Sequence, residues 1–113
     1  MTLHKTSLFS EELQSAAILF KALAHPARLA ILQYLAETRT CITGDIAGEL
    51  PLGRTTVNQH LKELKDAGLI QGTTEGVKTN YCLNPLKVAL LKQVSEEFLE
   101  KINGGTNTGS RCR

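Results

Sequence analysis

Apolar residues recur at helical spacing along most of this chain. Leu13, Ala16, Ala17, Phe20 and Leu23 fall three or four residues apart, which predicts a first helix over about 10–24. Ser10 supplies an N-cap oxygen, and Glu11 and Glu12 put acids in the first turn, where the helix dipole favours them. His25-Pro26 ends that helix, because a proline ring disfavours helical geometry at the residue before it. Pro26 also suits the first position of a second helix, with Leu29, Leu32 and Leu35 as its stripe and an end near Glu37. A short third helix is expected from around Thr43, with Ile46, Ala47 and Leu50 inward, before the turn Pro51-Leu52-Gly53. A fourth follows over about 54–67, with Val57, Leu61 and Leu64 inward and Gly68 as its C′ residue. Leu69-Ile70 and Val77 to Leu83 read as two short strands joined by a turn around Glu75-Gly76. After Asn84-Pro85 a last helix over about 86–102 carries Leu90, Leu91, Val94, Phe98 and Ile102. Asn103 to Arg113 is rich in Gly, Thr, Asn and Ser, has nothing to bury, and is expected to be a disordered tail.

This order predicts a mainly α fold with a small β-hairpin. The third and fourth helices, joined by a tight glycine-containing turn, have helix-turn-helix spacing, and the hairpin directly after them makes a winged helix-turn-helix. Residues 1–102 form the one expected domain, since 113 residues leave little room for a second. Apolar residues make up 42% of the chain with two Tyr, three Phe and no Trp, so its core is built from aliphatic side chains.

Charge sharpens the picture only locally. The chain has 13 basic and 11 acidic residues, and Arg111 and Arg113 in the tail supply the surplus. Nucleic-acid binding must therefore rest on a patch and not on net charge. The fourth helix offers one. Between its core positions stand Arg54, Thr55, Thr56, Asn58, Gln59, His60 and Lys62, all able to hydrogen-bond base edges or phosphates, with no acid before Glu63. These residues are the expected DNA contacts, His60 having as its other reading a helix residue that caps the turn and packs beneath it; Lys78, with Thr73 and Thr74 beside it, is expected as a wing contact to the backbone. A solvated hairpin explains the wing residues equally well.

Three segments resemble the ArsR-type (ArsR/SmtB) family of winged-helix repressors. Ala22-Leu23-Ala24-His25-Pro26-Ala27-Arg28-Leu29-Ala30-Ile31-Leu32 is similar to its opening motif, and Val57 to Ile70 to its recognition segment, with Asn58 replacing the usual Ser. Asn80-Tyr81-Cys82-Leu83-Asn84-Pro85 resembles its wing-closing motif. The resemblance covers about residues 13–102 and implies a dimeric repressor of a palindromic operator on double-stranded DNA, paired through its first and last helices. It also implies release by a metal, a metalloid or thiol oxidation. The apolar surplus of the last helix independently points to a homodimer.

The sensor positions depart from the family. Its Cys-x-Cys pair aligns on Ile42 and Gly44, which cannot bind a metal, and Cys41 lies one residue outside. Its other common site uses Asp and His on the last helix, where this chain has Glu96, Glu97 and Glu100 and no His. Cys41, Cys82 and Cys112 remain as candidate thiol ligands for a metalloid or soft metal ion. The preferred reading is simpler: a buried Cys41, an ordinary strand residue at Cys82 and an incidental Cys112. Strand alternation places Cys82 on the accessible face, opposite Tyr81 and Leu83.

Other chemistry is disfavoured. Gly48 to Thr55 superficially resembles a phosphate-binding loop but has Arg54 in place of the lysine and follows a helix. No nucleophile elbow, Cys-x-x-Cys or His-Glu-x-x-His motif is present, so no enzyme is expected. His25 is expected to cap a helix and Arg28 to form an internal salt bridge. With no membrane-length apolar run, no secretory leader and an odd number of cysteines, a reduced, cytoplasmic protein is expected. The alternative function is a winged-helix protein-interaction module without sequence-specific DNA binding. The acid-poor face from Arg54 to Lys62 favours the DNA reading.

Overall fold

The computed structural model describes residues 8–38, 42–43, 51–75 and 78–105, with backbone alone at 42, 43, 74, 75 and 78. Helix α1 spans Glu11–Leu23 and α2 Pro26–Thr38, followed by a two-residue strand β1, Ile42–Thr43. Helix α3 spans Arg54–Asp66, strands β2 and β3 run Ile70–Glu75 and Lys78–Leu83, and α4 closes the chain at Pro85–Gly105. The expected third helix and the tip of the hairpin lie outside the described residues.

Local chemistry sets the boundaries. The Ser10 hydroxyl accepts from the Leu13 amide at 3.2 Å and caps α1. His25 Nδ1 accepts from the Ala27 amide at 3.0 Å at the start of α2, as expected. The far end of α3 closes with Gly68 at φ 86°. There the Gly68 amide donates to the Lys65 carbonyl at 2.9 Å and the Leu69 amide to the Leu64 carbonyl at 3.0 Å. That pair of bonds is a Schellman motif, and its left-handed residue turns the chain directly into β2. Asn84 Oδ1 accepts from the Leu86 and Lys87 amides at 3.1 and 3.4 Å, which begins α4 at Pro85.

The sheet has the order β1-β3-β2, antiparallel throughout. Ile70 stands opposite Leu83 and Glu75 opposite Lys78, while Ile42 pairs with Tyr81 on the other edge of β3. Thr43, at or beside which a helix was expected to begin, lies in β1, and the residues directly after it are outside those described. A two-residue strand is too short to show alternation, and pairing with β3 alone defines it.

Beneath the sheet, Ile31, Val57, Leu64, Leu69 and Ile70 are fully enclosed, joined by Leu19, Ala22, Leu35 and Leu61. Tyr81 and Leu83 of β3 pack against this cluster as expected, with Val88 and Leu91 of α4. The stripe predicted for α3 is the one observed. Those of α1 and α2 hold only in part: Ala16 and Leu35 are buried, and Leu23 and Leu32 pack against the cluster. Helix α1 buries Ala16, Leu19 and Ala22, leaves Leu13 exposed, and turns Phe20 toward Phe98 of α4, with ring centroids 5.7 Å apart. Helix α2 buries Ala27, Ile31 and Leu35 and leaves Leu29 exposed. Both helices are apolar over more than one face, so spacing alone does not select the inward side.

Helix α4 buries no residue fully and runs three residues past its expected end, through Gly105. Asn103 to Gly105 are therefore helical, not part of a tail. Residues 106–113 lie outside the described residues.

Candidate nucleic-acid interface

Helix α3 has two chemically opposite sides. Val57, Leu61 and Leu64 fix one side in the core at 1, 4 and 0% exposure. This forces Arg54, Thr55, Thr56, Asn58, Gln59 and Lys62 outward, and all six are exposed. No acid occupies the first turn, and the N-cap Gly53 makes no side-chain bond. The positive end of the helix dipole thus adds to the field of Arg54. Lys62 Nζ donates to Asp66 Oδ2 at 2.9 Å, with both side chains well exposed. That hydrogen bond and the carboxylate charge raise the Lys62 pKa, so its ammonium stays protonated. Thr73 is exposed on β2. Lys78 opens β3 opposite Glu75, and its side chain, like that of Thr74, is outside what is described.

His60 departs from the expected row of DNA contacts. Its ring is 7% exposed and points into the body, because position 60 continues the stripe of Val57, Leu61 and Leu64. Arg28 Nε donates to His60 Nδ1 at 3.2 Å, and the ring of His25 lies against it with centroids 4.2 Å apart. Burial, then the charges of His25 and Arg28, lower the His60 pKa from 6.5, against an opposing contribution from Glu63. Among the described residues Arg28 does not form the expected salt bridge. Its Nη1 donates instead to the Lys21 and Ala22 carbonyls at 3.2 and 3.3 Å. The sequence held a clue to this. Positions three and four residues from Arg28 are Ala24, His25, Ile31 and Leu32, which offer no carboxylate along α2.

The described residues do not fit a metal centre. They contain no cluster of three His, Cys, Asp or Glu side chains able to hold a metal ion. Cys82 is half-buried on β3 opposite Gln71 and is disulfide-bonded, so in this state it has no thiolate to offer. The reduced state expected from the odd cysteine count is thus not the state of Cys82. Cys41 and Cys112 lie outside the described residues. Glu96, Glu97 and Glu100 are exposed on α4. No single helix among the described residues is long and apolar enough to cross a membrane.

A core-anchored α3 with a polar outer face, leading through a Schellman turn into a hairpin, defines a winged helix-turn-helix protein of the DNA-binding class. A helix-turn-helix domain family matches residues 23–73. An HTH-type transcriptional regulator of Methanocaldococcus jannaschii is 36% identical over 87 residues, covering 76% of this chain and 98% of that protein. The HTH-type transcriptional repressor SmtB of Mycobacterium tuberculosis is 38% identical over 73 residues, covering 65% of this chain and 53% of the repressor. Among solved structures, an ArsR-like transcriptional regulator from Rhodococcus sp. RHA1 superposes with a TM-score of 0.65 at 26% identity, over 85% of this chain and 86% of its own. The chain belongs to the ArsR/SmtB family of winged-helix transcriptional regulators, which are not enzymes.

Proposed function

We propose that this regulator is a cytoplasmic homodimeric repressor that occupies a palindromic operator with α3 of each protomer in the major groove. The observation that carries the reading is the outer face of α3, polar, free of acid from Arg54 to Lys62, and held outward by a fully buried opposite side. Thr55, Thr56, Asn58 and Gln59 face base edges in this arrangement, while Arg54, Lys62 and the wing residue Lys78 serve phosphates. Two such helices would read half-sites about one helical turn apart.

Pairing is assigned to α1 and α4. A groove of about 390 Å³ runs between them, lined in part by Leu13, Leu90, Val94 and Phe98. Leu13, Leu90, Phe98 and Ile102 expose 52, 40, 38 and 49% of their surface there and along α4. The signal for release is assigned to the thiols, through oxidation or a metalloid, since neither standard metal site of the family has its ligands here.

A random-sequence duplex pool enriched on the protein tests the core of this reading. The expected product is an inverted repeat, bound in gel shift and altered in affinity by reductant, mild oxidant or arsenite. An enriched asymmetric site removes the palindrome. Failure to enrich any duplex removes the repressor reading, and affinity indifferent to all three reagents removes the thiol signal.

A further inference from the structure

We infer that Arg28 and His60 form the joint that positions the recognition helix on the body, and that proton uptake by His60 opens this joint and weakens DNA binding. The inference rests on the reading of α3 as the DNA-contacting helix.

The joint spans three helices. Arg28 leaves α2 and donates through Nη1 to the Lys21 and Ala22 carbonyls in the last turn of α1, and through Nε to His60 Nδ1 on α3. Carbonyls in that turn lack full intrahelical partners, so Arg28 caps one helix while it holds another. A planar guanidinium presents donors in several fixed directions and suits this bridge, whereas one ammonium does not. His60 accepts through Nδ1, so its neutral form carries the proton on Nε2. His25 reinforces the site, since its own Nδ1 is held by the Ala27 amide while its ring lies 4.2 Å from that of His60.

Protonation reverses the contact. Nδ1 becomes a donor facing the Nε donor of Arg28, and a second positive charge arises beside the guanidinium. The groups that face His60 are His25 from the α1–α2 turn, Arg28 from α2 and Glu63 one turn further along α3; α1 contributes the Lys21 and Ala22 carbonyls through Arg28. Only Glu63 favours the imidazolium, and its influence is the smallest of those acting there. The folded state thus binds this proton more weakly than the unfolded chain. The stabilisation from neutral His60 is complete above the ordinary value of 6.5 and is lost as pH falls through 6.5 toward the depressed folded value.

The direction of the effect separates this joint from simple electrostatics. Added positive charge on acidification strengthens binding to a phosphate polyanion. Opening the joint weakens it. The test measures affinity for a duplex selected by the protein at about pH 7.5, then again at about pH 5.5, for wild type, His60→Asn and His60→Gln. An amide oxygen can accept from Arg28 but does not titrate. Wild type is expected to weaken severalfold on acidification, up to about tenfold per titrating His60, and the amide variant that keeps neutral-pH affinity to change less than about twofold. Wild-type affinity that rises or stays level, in parallel with that variant, overturns the regulatory role.

Nitrogen-15 NMR of the His60 ring in the wild-type protein, together with unfolding free energy against pH, needs no variant and no DNA. A neutral Nε2–H tautomer that titrates below 6.5, with stability lost over the same range, is the expected result. An Nδ1–H tautomer overturns the joint. If no duplex is enriched, the DNA reading falls with the regulatory half, and the NMR and stability curves still decide the joint itself.

Discussion

Phe98 is the most informative place to perturb the proposed dimer. It stands on α4 with 38% of its surface exposed, its ring against Phe20 of α1 and one edge in the groove between the two helices. Full burial of such a side chain contributes about 1.5–3 kcal/mol, so covering its remaining surface contributes roughly 0.6–1.1 kcal/mol. A two-fold axis counts every contact twice, so Phe98→Ala should weaken the dimer by about 1–2 kcal/mol, or roughly five- to thirtyfold. Glutamate should do more. Glu11, Glu12 and Glu97 already line the groove against Lys101, and a further carboxylate meets like charge as well as losing water. Phe98→Lys, which buries an opposite charge among those acids, should be milder than Phe98→Glu. Sedimentation velocity over a concentration series measures all three, with circular dichroism confirming that the helices persist after loss of the Phe20 contact. Leu52→Glu, in the turn before α3, is the control. A wild type that is monomeric at about 100 μM, or a Phe98→Glu variant that sediments like wild type, refutes the assignment.

Three further outcomes follow from the described contacts. Gln59→Ala should lose about 1–3 kcal/mol on the selected duplex and little on others, while Lys62→Ala should weaken all duplexes alike and lower the salt slope by about one; titrations at several salt concentrations distinguish them. Gly68→Ala should reduce unfolding free energy in urea by about 1–2 kcal/mol, because φ 86° is costly for an L side chain and the new Cβ lies 2.6 Å from Lys87 Cε. Arg28→Lys should leave the dimer dissociation constant within about twofold yet weaken DNA binding, since a single ammonium cannot serve His60 and the α1 carbonyls together. Equal loss of both properties would show a general folding defect.

Much of the architecture was legible because its signals are local. Ser10, Pro26, Gly68 and Asn84 each mark a boundary through a hydrogen bond or a backbone conformation that no distant residue is needed to create. Helix α3 was legible in register as well, because its polar and apolar residues separate cleanly. Helices α1 and α2 were legible only in part, at Ala16, Leu23, Leu32 and Leu35. With apolar side chains around most of their circumference, the choice between Leu13 and Leu19, or between Leu29 and Ile31, is made by neighbouring elements. Strand β1 is likewise a tertiary product of β3.

The site divides in the same way. The outward residues of α3 were legible from composition, but His60, placed at the interface on the strength of the motif, follows its other reading and packs inward. Its spacing gave this inward answer. It lies three residues after Val57 and four before Leu64, on the row that enters the core. The partner that makes this burial tolerable is 32 residues away, and no pattern along α3 could supply it.

That long-range contact also lies between the two faces to which pairing and DNA contact are assigned under the proposed function. Helix α1 packs against α2, α3 and α4, so the helix that carries Phe20 to the proposed dimer face also presents the carbonyls that hold Arg28. The route from one face to the other is short and uses discrete hydrogen bonds between rigid helices. A packed core resists gradual deformation, so in the proposed dimer a shift of α1 would reach α3 by keeping or breaking the Arg28–His60 bond. The carbonyls are backbone and present in any sequence. Arg28 and His60 are side chains, and they are where sequence determines how firmly the reading helix follows the rest of the molecule.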